Sequence, residues 1–161
     1  MKSNEMWQRY AGDHADQITY EAWAFCGGGK VGDELAELVL AGVKTATASA
    51  YVSYQAEGEP VPEEGCYSVV MYDDGEAACV IRTTRVSLVP FNEVPASHAY
   101  LEGEGDRSLS YWRRVHREAF KPEYLAAGKD FDERDLCVLE EFELVYPVED
   151  RADESDVSPH S

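Results

Sequence analysis

Apolar positions along the chain change their period several times, and each change marks an element. Leu35, Leu38 and Val39 fall on one helical face between Asp33, placed to cap that helix, and Gly42, which fits the left-handed position that ends it. The stretch "CYSVVMYDDGEAACVIRTTRVSLVPF" holds two β-branched runs joined by "DDG", a hairpin signal. In "LCVLEEFELVY" a further strand is predicted, with Leu136, Val138, Phe142, Leu144 and Tyr146 in one alternation register. A second amphipathic helix follows Asp106, which is placed to cap it, and its stripe is Leu109, Trp112, Val115, His116 and Ala119. Trp7, Tyr10 and Tyr20 stand at loose helical spacing and predict a helical lead-in over residues 1–20. "CGGGKVGD" reads as a flexible loop, and from Thr45 the pattern turns strand-like.

Helix, strands, helix and strand in this order lack regular βαβ alternation. The expected class is α+β, built on a mostly antiparallel sheet that can curl into a small barrel; pattern alone leaves closure open. One domain is expected over residues 1–147. The last fourteen residues, "VEDRADESDVSPHS", are acidic and aperiodic and are expected to be disordered.

Charge narrows the partners. A chain of 161 residues with net charge −18 has no overall field to hold a long duplex, whose affinity comes largely from counterion release. Nucleic acid must then be met locally, in a cleft, or the ligand must be small. No apolar run approaches the roughly 20 residues of a membrane span, and no charged-then-apolar leader is visible. Cys26, Cys66, Cys79 and Cys137 have no C-x-x-C spacing, so neither a disulfide framework nor a zinc site is expected, and a reducing cytoplasm is the natural setting.

The chemistry concentrates in a few stretches. In "AGVKTATASAYVSY" Lys44 precedes Thr45, Thr47, Ser49 and Ser53. Alternation would point Lys44 and Thr47 to opposite faces unless Lys44 sits in the turn before the strand. A lysine shielded there could activate a threonine hydroxyl; a solvated lysine complementing a helix C-terminus is the plain alternative. "LEGEGDRS" spaces Glu102, Glu104 and Asp106 by glycines ahead of Arg107, which suits a helix entry or a loop over a ligand. Clustered oxygens there lack a second arm, so no metal is expected, and no cofactor motif is present. Arg82 and Arg85 lie in an apolar strand, as ion-pair partners of acids or as phosphate or carbonyl contacts. Trp112 and His116, one turn apart, suit core packing or a stacking site; His98 has no obvious partner.

Taken together, "GVKTATAS", "EPVPEEGCYSVV", "VIRTTRVSLVPFNEV", "HAYLEGEGDRSLSYWRRVH" and "FDERDLCVLEEFELVY" resemble the ASCH family, in particular its bacterial stand-alone members, over Leu35 to Tyr146. The resemblance implies a β-barrel similar to PUA domains, flanked by helices, that handles RNA or modified bases. Some members resemble amidohydrolases that remove the acetyl group of N4-acetylcytidine with a lysine, a threonine and a glutamate; another is described as a ribonuclease on single-stranded RNA. Gly42, Lys44, Thr45 and Thr47 match the G-x-K-T-x-T segment, so Thr47 takes the nucleophile position and Lys44 the activating one. His98, Ala99 and Glu102 match the His-Ala pair and the glutamate after it, which would shuttle a proton to the departing amine. Two departures stand out: the chain is longer than the small enzymes, and Ser49 replaces their arginine. Substrate or RNA contacts are expected from Thr45, Arg82, Arg85, Glu104, Asp106, Arg107, Trp112 and His116, with Arg82 a candidate oxyanion donor. Ribonuclease activity, a non-catalytic reader stacking bases on Trp112, His116 and Tyr54, and a module for a basic protein partner are the alternatives.

Overall fold

The computed structural model describes residues 1–147; the expected disordered tail lies outside the described residues. The chain divides into two compact units. One comprises Met1–Leu40, Tyr67–Arg82 and the chain from Leu144, the other Ala41–Cys66 and Thr83–Glu143.

In the first unit, helix α1 (Ser3–Ala11) supplies Met6 and Trp7 to a core completed by Val69 and Val80. Trp7 stacks on Tyr20 at 4.7 Å and donates from Nε1 to the Ala15 carbonyl. The helix stops at Ala11 where Gly12 takes a positive φ of 57°, so the helical lead-in is shorter than the expected residues 1–20. Tyr20–Trp23 is strand β1, pairing in parallel with β3 (Tyr67–Met71). Helix α2 (Gly29–Leu40) also begins sooner than predicted. Asp73 accepts from the Gly29 amide at 2.7 Å, so a carboxylate from another segment serves the helix N-terminus. Asp33 lies inside that helix, and its side chain accepts from the Asp73 amide.

The predicted hairpin forms, with β3 antiparallel to β4 (Ala77–Pro90). In the second unit, β2 (Ala46–Ala50) pairs antiparallel with β5 (Leu136–Tyr146), Thr47 opposite Glu140 and Ser49 opposite Val138. The strand-like run stops after Ala50. Tyr51–Glu57 is helix α3, whose turn carries Val52 into the same core as Ala50. Helices α4 (Ala96–Glu102) and α5 (Leu109–Ala126) add Ala99, Trp112, Phe120 and Tyr124 to it. The cap of α5 is Ser108, whose hydroxyl accepts from the Tyr111 amide at 3.1 Å, and not Asp106.

Strand order is linear, β1-β3-β4-β5-β2. The expected barrel is therefore corrected to an open mixed sheet flanked by helices. Closure requires the first and last strands of a sheet to pair, and here β1 and β2 are edge strands. One of them joins in parallel, which a hairpin-built barrel would not contain.

Candidate active site

Helix α2 ends at Leu40, Gly42 takes a positive φ of 78°, and Lys44 follows in the short connection ahead of β2. Backbone bonds hold this stretch on two sides. The Thr45 amide donates to the Leu101 carbonyl at 2.8 Å, and the Thr45 carbonyl accepts from the Phe142 amide at 3.0 Å. The Lys44 side chain is then 0% exposed. Its ammonium donates to Glu104 Oε2 at 2.8 Å, to Glu102 Oε1 at 3.2 Å and to the Glu102 carbonyl at 3.4 Å.

Glu102, 1% exposed, is the hub. Its Oε2 accepts from Trp112 Nε1 at 2.6 Å and from His98 Nε2 at 2.7 Å. Oε1 faces Lys44 and, at 3.5 Å, His116 Nε2. Helical spacing explains the convergence. His98 and Glu102 are one turn apart on α4, and Trp112 and His116 one turn apart on α5, their rings stacked at 4.2 Å. Burial pushes the Glu102 carboxyl up, but the Lys44 charge and the hydrogen bonds from His116 and His98 outweigh it and hold the group well below the usual carboxylate range. Burial lowers His116, yet Glu102 and the Trp112 carbonyl prevail and raise it. His116 Nδ1 donates to that carbonyl at 2.9 Å, so both ring nitrogens meet acceptors, as an imidazolium requires.

The loop after α4 is fitted closely. A Cβ on Gly103 (φ 73°) would stand 2.6 Å from the Val43 carbonyl oxygen, and one on Gly105 (φ 58°) 2.5 Å from the Tyr111 ring. Glycine is required at both. The close approach sets Glu104 over Lys44 and leaves it 18% exposed, while Glu102 behind it is closed off. Arg107, itself at φ 65°, stacks on the Tyr100 ring at 3.7 Å and donates to the Tyr100 and Val43 carbonyls.

A cavity of about 180 Å³ lies in the same unit, lined among others by Arg85, Ser87, Pro95, His98, Leu139 and Glu141. His98 thus connects it to the Glu102 network. Arg85 is largely exposed, 3.9 Å from Glu141. Thr45 bonds from its hydroxyl to the Leu101 carbonyl, and Asp106 accepts from the Ser108 amide at the surface. Trp112 and His116 are buried. Arg82 belongs to the first unit, opposite Tyr67. Alternation along β2 puts Thr47 and Ser49 on one face and Ala48 and Ala50 on the other, where they pack with Trp112. Among the described residues the half-buried Thr47 hydroxyl makes no hydrogen bond to Lys44 or Glu102. Ser49 instead bonds Tyr54 at 2.9 Å, which ties up that proposed stacking residue. The sequence reading missed His98 as a Glu102 partner, although their i, i+4 spacing on a helix was the available signal. Among the described residues no trio of His, Cys, Asp or Glu is arranged to hold a metal ion, and no helix is long and apolar enough to cross a membrane.

The ASCH domain family model matches residues 21–146, and the chain belongs to this family. It is similar to the ASCH domain of Lactobacillus crispatus JV V101, at 34% identity over 88% of this chain and 90% of that one, with a TM-score of 0.80. It is also similar to a DUF984 protein of Enterococcus faecalis V583, at 31% identity over 98% and 95% of the two chains, with a TM-score of 0.79. Hypothetical protein PH0355, 16% identical with a TM-score of 0.52 over 78% of this chain and 98% of that one, shares the fold alone. No curated protein matches the chain.

Proposed function

We propose that this ASCH-domain protein acts on the base of a nucleoside, free or in a short single strand, and hydrolyses an exocyclic amide of the N4-acetylcytidine kind at the Lys44–Glu102–Glu104 cluster. One observation carries the reading. An ammonium shut away from water is bracketed by two carboxylates, one at the end of α4 and one in the loop after it, 58 and 60 residues further along. A buried ion pair contributes little stability that well-packed apolar side chains would not supply. Perturbed charges gathered beside a cavity are what proton-transfer chemistry needs. Net charge −18 fits the substrate class, because a nucleoside brings no row of phosphates to be repelled.

In this scheme Lys44 holds the carboxylates in place and lends positive charge to the oxyanion that forms as the amide carbonyl is attacked. A carboxylate carries the proton from the nucleophile to the departing amine. Thr47 serves as nucleophile only if its hydroxyl turns from its own face of β2; water is the alternative. That same face assignment favours a second reading, in which the site binds a base and converts nothing. Liquid chromatography of acylated nucleosides incubated with purified protein separates the two. Hydrolysis by wild type and its loss in Lys44→Met support the enzyme. Binding of cytidine with no conversion of any acylated nucleoside supports the reader.

A further inference from the structure

We propose that Glu104, and not Glu102, is the carboxylate that exchanges a proton with the substrate, Glu102 being a positioning residue that fixes Lys44. This rests on the hydrolytic reading above. A general base needs a lone pair within reach of the proton it removes. Both Glu102 oxygens are engaged, Oε1 by Lys44 and Oε2 by His98 and Trp112, and 1% of the side chain is exposed. Reaching substrate from there would mean breaking bonds of 2.6 and 2.7 Å in a dry interior. Glu104 has the opposite character. Its Oε2 accepts from Lys44 at 2.8 Å, its Oε1 makes no hydrogen bond among the described residues, and the side chain reaches solvent. The loop that carries it is pinned by the fit of Gly103 against Val43 and by the Arg107 amide donating to the Glu104 carbonyl at 3.0 Å. The carboxylate is therefore oriented before anything binds.

The step balances with water as co-reactant. Glu104 takes one water proton as the water oxygen bonds to the amide carbon. The tetrahedral adduct then collapses, its C–N bond breaks, and Glu104 returns the proton to the amine nitrogen. The products are a carboxylic acid, which loses its proton to solvent, and the free amine; Glu104 ends as it began.

Glu104→Gln and Glu102→Gln are compared in kcat and KM for N4-acetylcytidine hydrolysis and in urea midpoint. Wild-type carboxyls are labelled with a carbodiimide and an amine, with and without saturating cytidine, and read by peptide mass spectrometry. Glu104→Gln is expected to lower kcat by about 100-fold or more, with KM and midpoint near wild type. Glu102→Gln is expected to lose activity and stability together. Glu104 should be labelled and shielded by cytidine, while Glu102 stays unlabelled. Wild-type kcat in Glu104→Gln would overturn this assignment alone. Cytidine shielding of Glu104 without turnover of any acylated nucleoside would overturn the proton transfer together with the hydrolytic reading.

Discussion

The Lys44 ammonium and the Glu102 carboxylate, 58 residues apart in sequence, meet at 3.2 Å where neither side chain is more than 1% exposed. Removing one partner of such a pair leaves a buried charge without compensation. Lys44→Met is therefore expected to destabilise the protein by about 3–5 kcal/mol, read as a fall in the free energy of urea unfolding. A loss below about 1 kcal/mol, the range of exposed pairs, would mean that the pair is open to water in solution.

Stability should fall on both sides of neutral pH, for different reasons. The Glu102 carboxyl is depressed from its ordinary 4.5, so its contribution is present above that value and disappears as pH falls through the lower folded value. His116 is raised from 6.5, so its contribution is complete below 6.5 and disappears as pH climbs through the higher folded value. Unfolding free energies measured across pH should show both limbs. His116→Gln should flatten the alkaline limb and also shrink the acid one, because His116 is among the groups that hold Glu102 down.

Trp112 combines ring stacking on His116 with a hydrogen bond to Glu102. Phenylalanine keeps much of the apolar surface and deletes the donor. Trp112→Phe should cost about 1.5–3 kcal/mol, as for a hydrogen bond to a charged group, measured by denaturant titration. A neutral result would show that another donor satisfies Glu102 Oε2.

Gly103→Ala would drive a methyl group to 2.6 Å from the Val43 carbonyl oxygen at a positive φ. Gly58→Ala meets the same backbone preference with open space around it. Gly58→Ala should cost about 1–2 kcal/mol and spare the site. Gly103→Ala should cost more and displace Glu104, seen as a larger fall in melting temperature together with lost turnover.

Much of this was legible in the residues, and the exceptions have physical causes. The hairpin and β5 follow directly from periodicity and turn chemistry; of the expected α5 stripe Trp112 and His116 are buried, whereas Ala119 is exposed and Phe120 and Tyr124 take the inner face. Helix α3 was hidden because Tyr51, Val52 and Tyr54 favour strands, and only core packing of Val52 decides for a helix. Strand β1 was hidden because its two middle residues are exposed, leaving no alternation. Sheet closure depends on which strands lie at the edges, which local pattern does not encode; the barrel carried over from the resemblance gives way to an open sheet. Within the site, the G-x-K-T-x-T match drew attention to Lys44 and the His-Ala match to Glu102, while the His98–Glu102 contact one turn apart on α4 went unread. Alternation already set Thr47 on the face away from Lys44, but nothing local revealed that Glu104 closes over Lys44, because that contact joins residues 60 apart.

The most direct measurement pairs stability with turnover in the double variant K44M/E102Q. Neutralising Glu102 together with Lys44 removes one of the two carboxylates that Lys44→Met leaves without an ammonium, so the urea midpoint should lie above that of Lys44→Met alone. Wild type should hydrolyse N4-acetylcytidine, and the folded double variant should not. Wild-type hydrolysis rates in the double variant would contradict the claim that this ion cluster carries the chemistry.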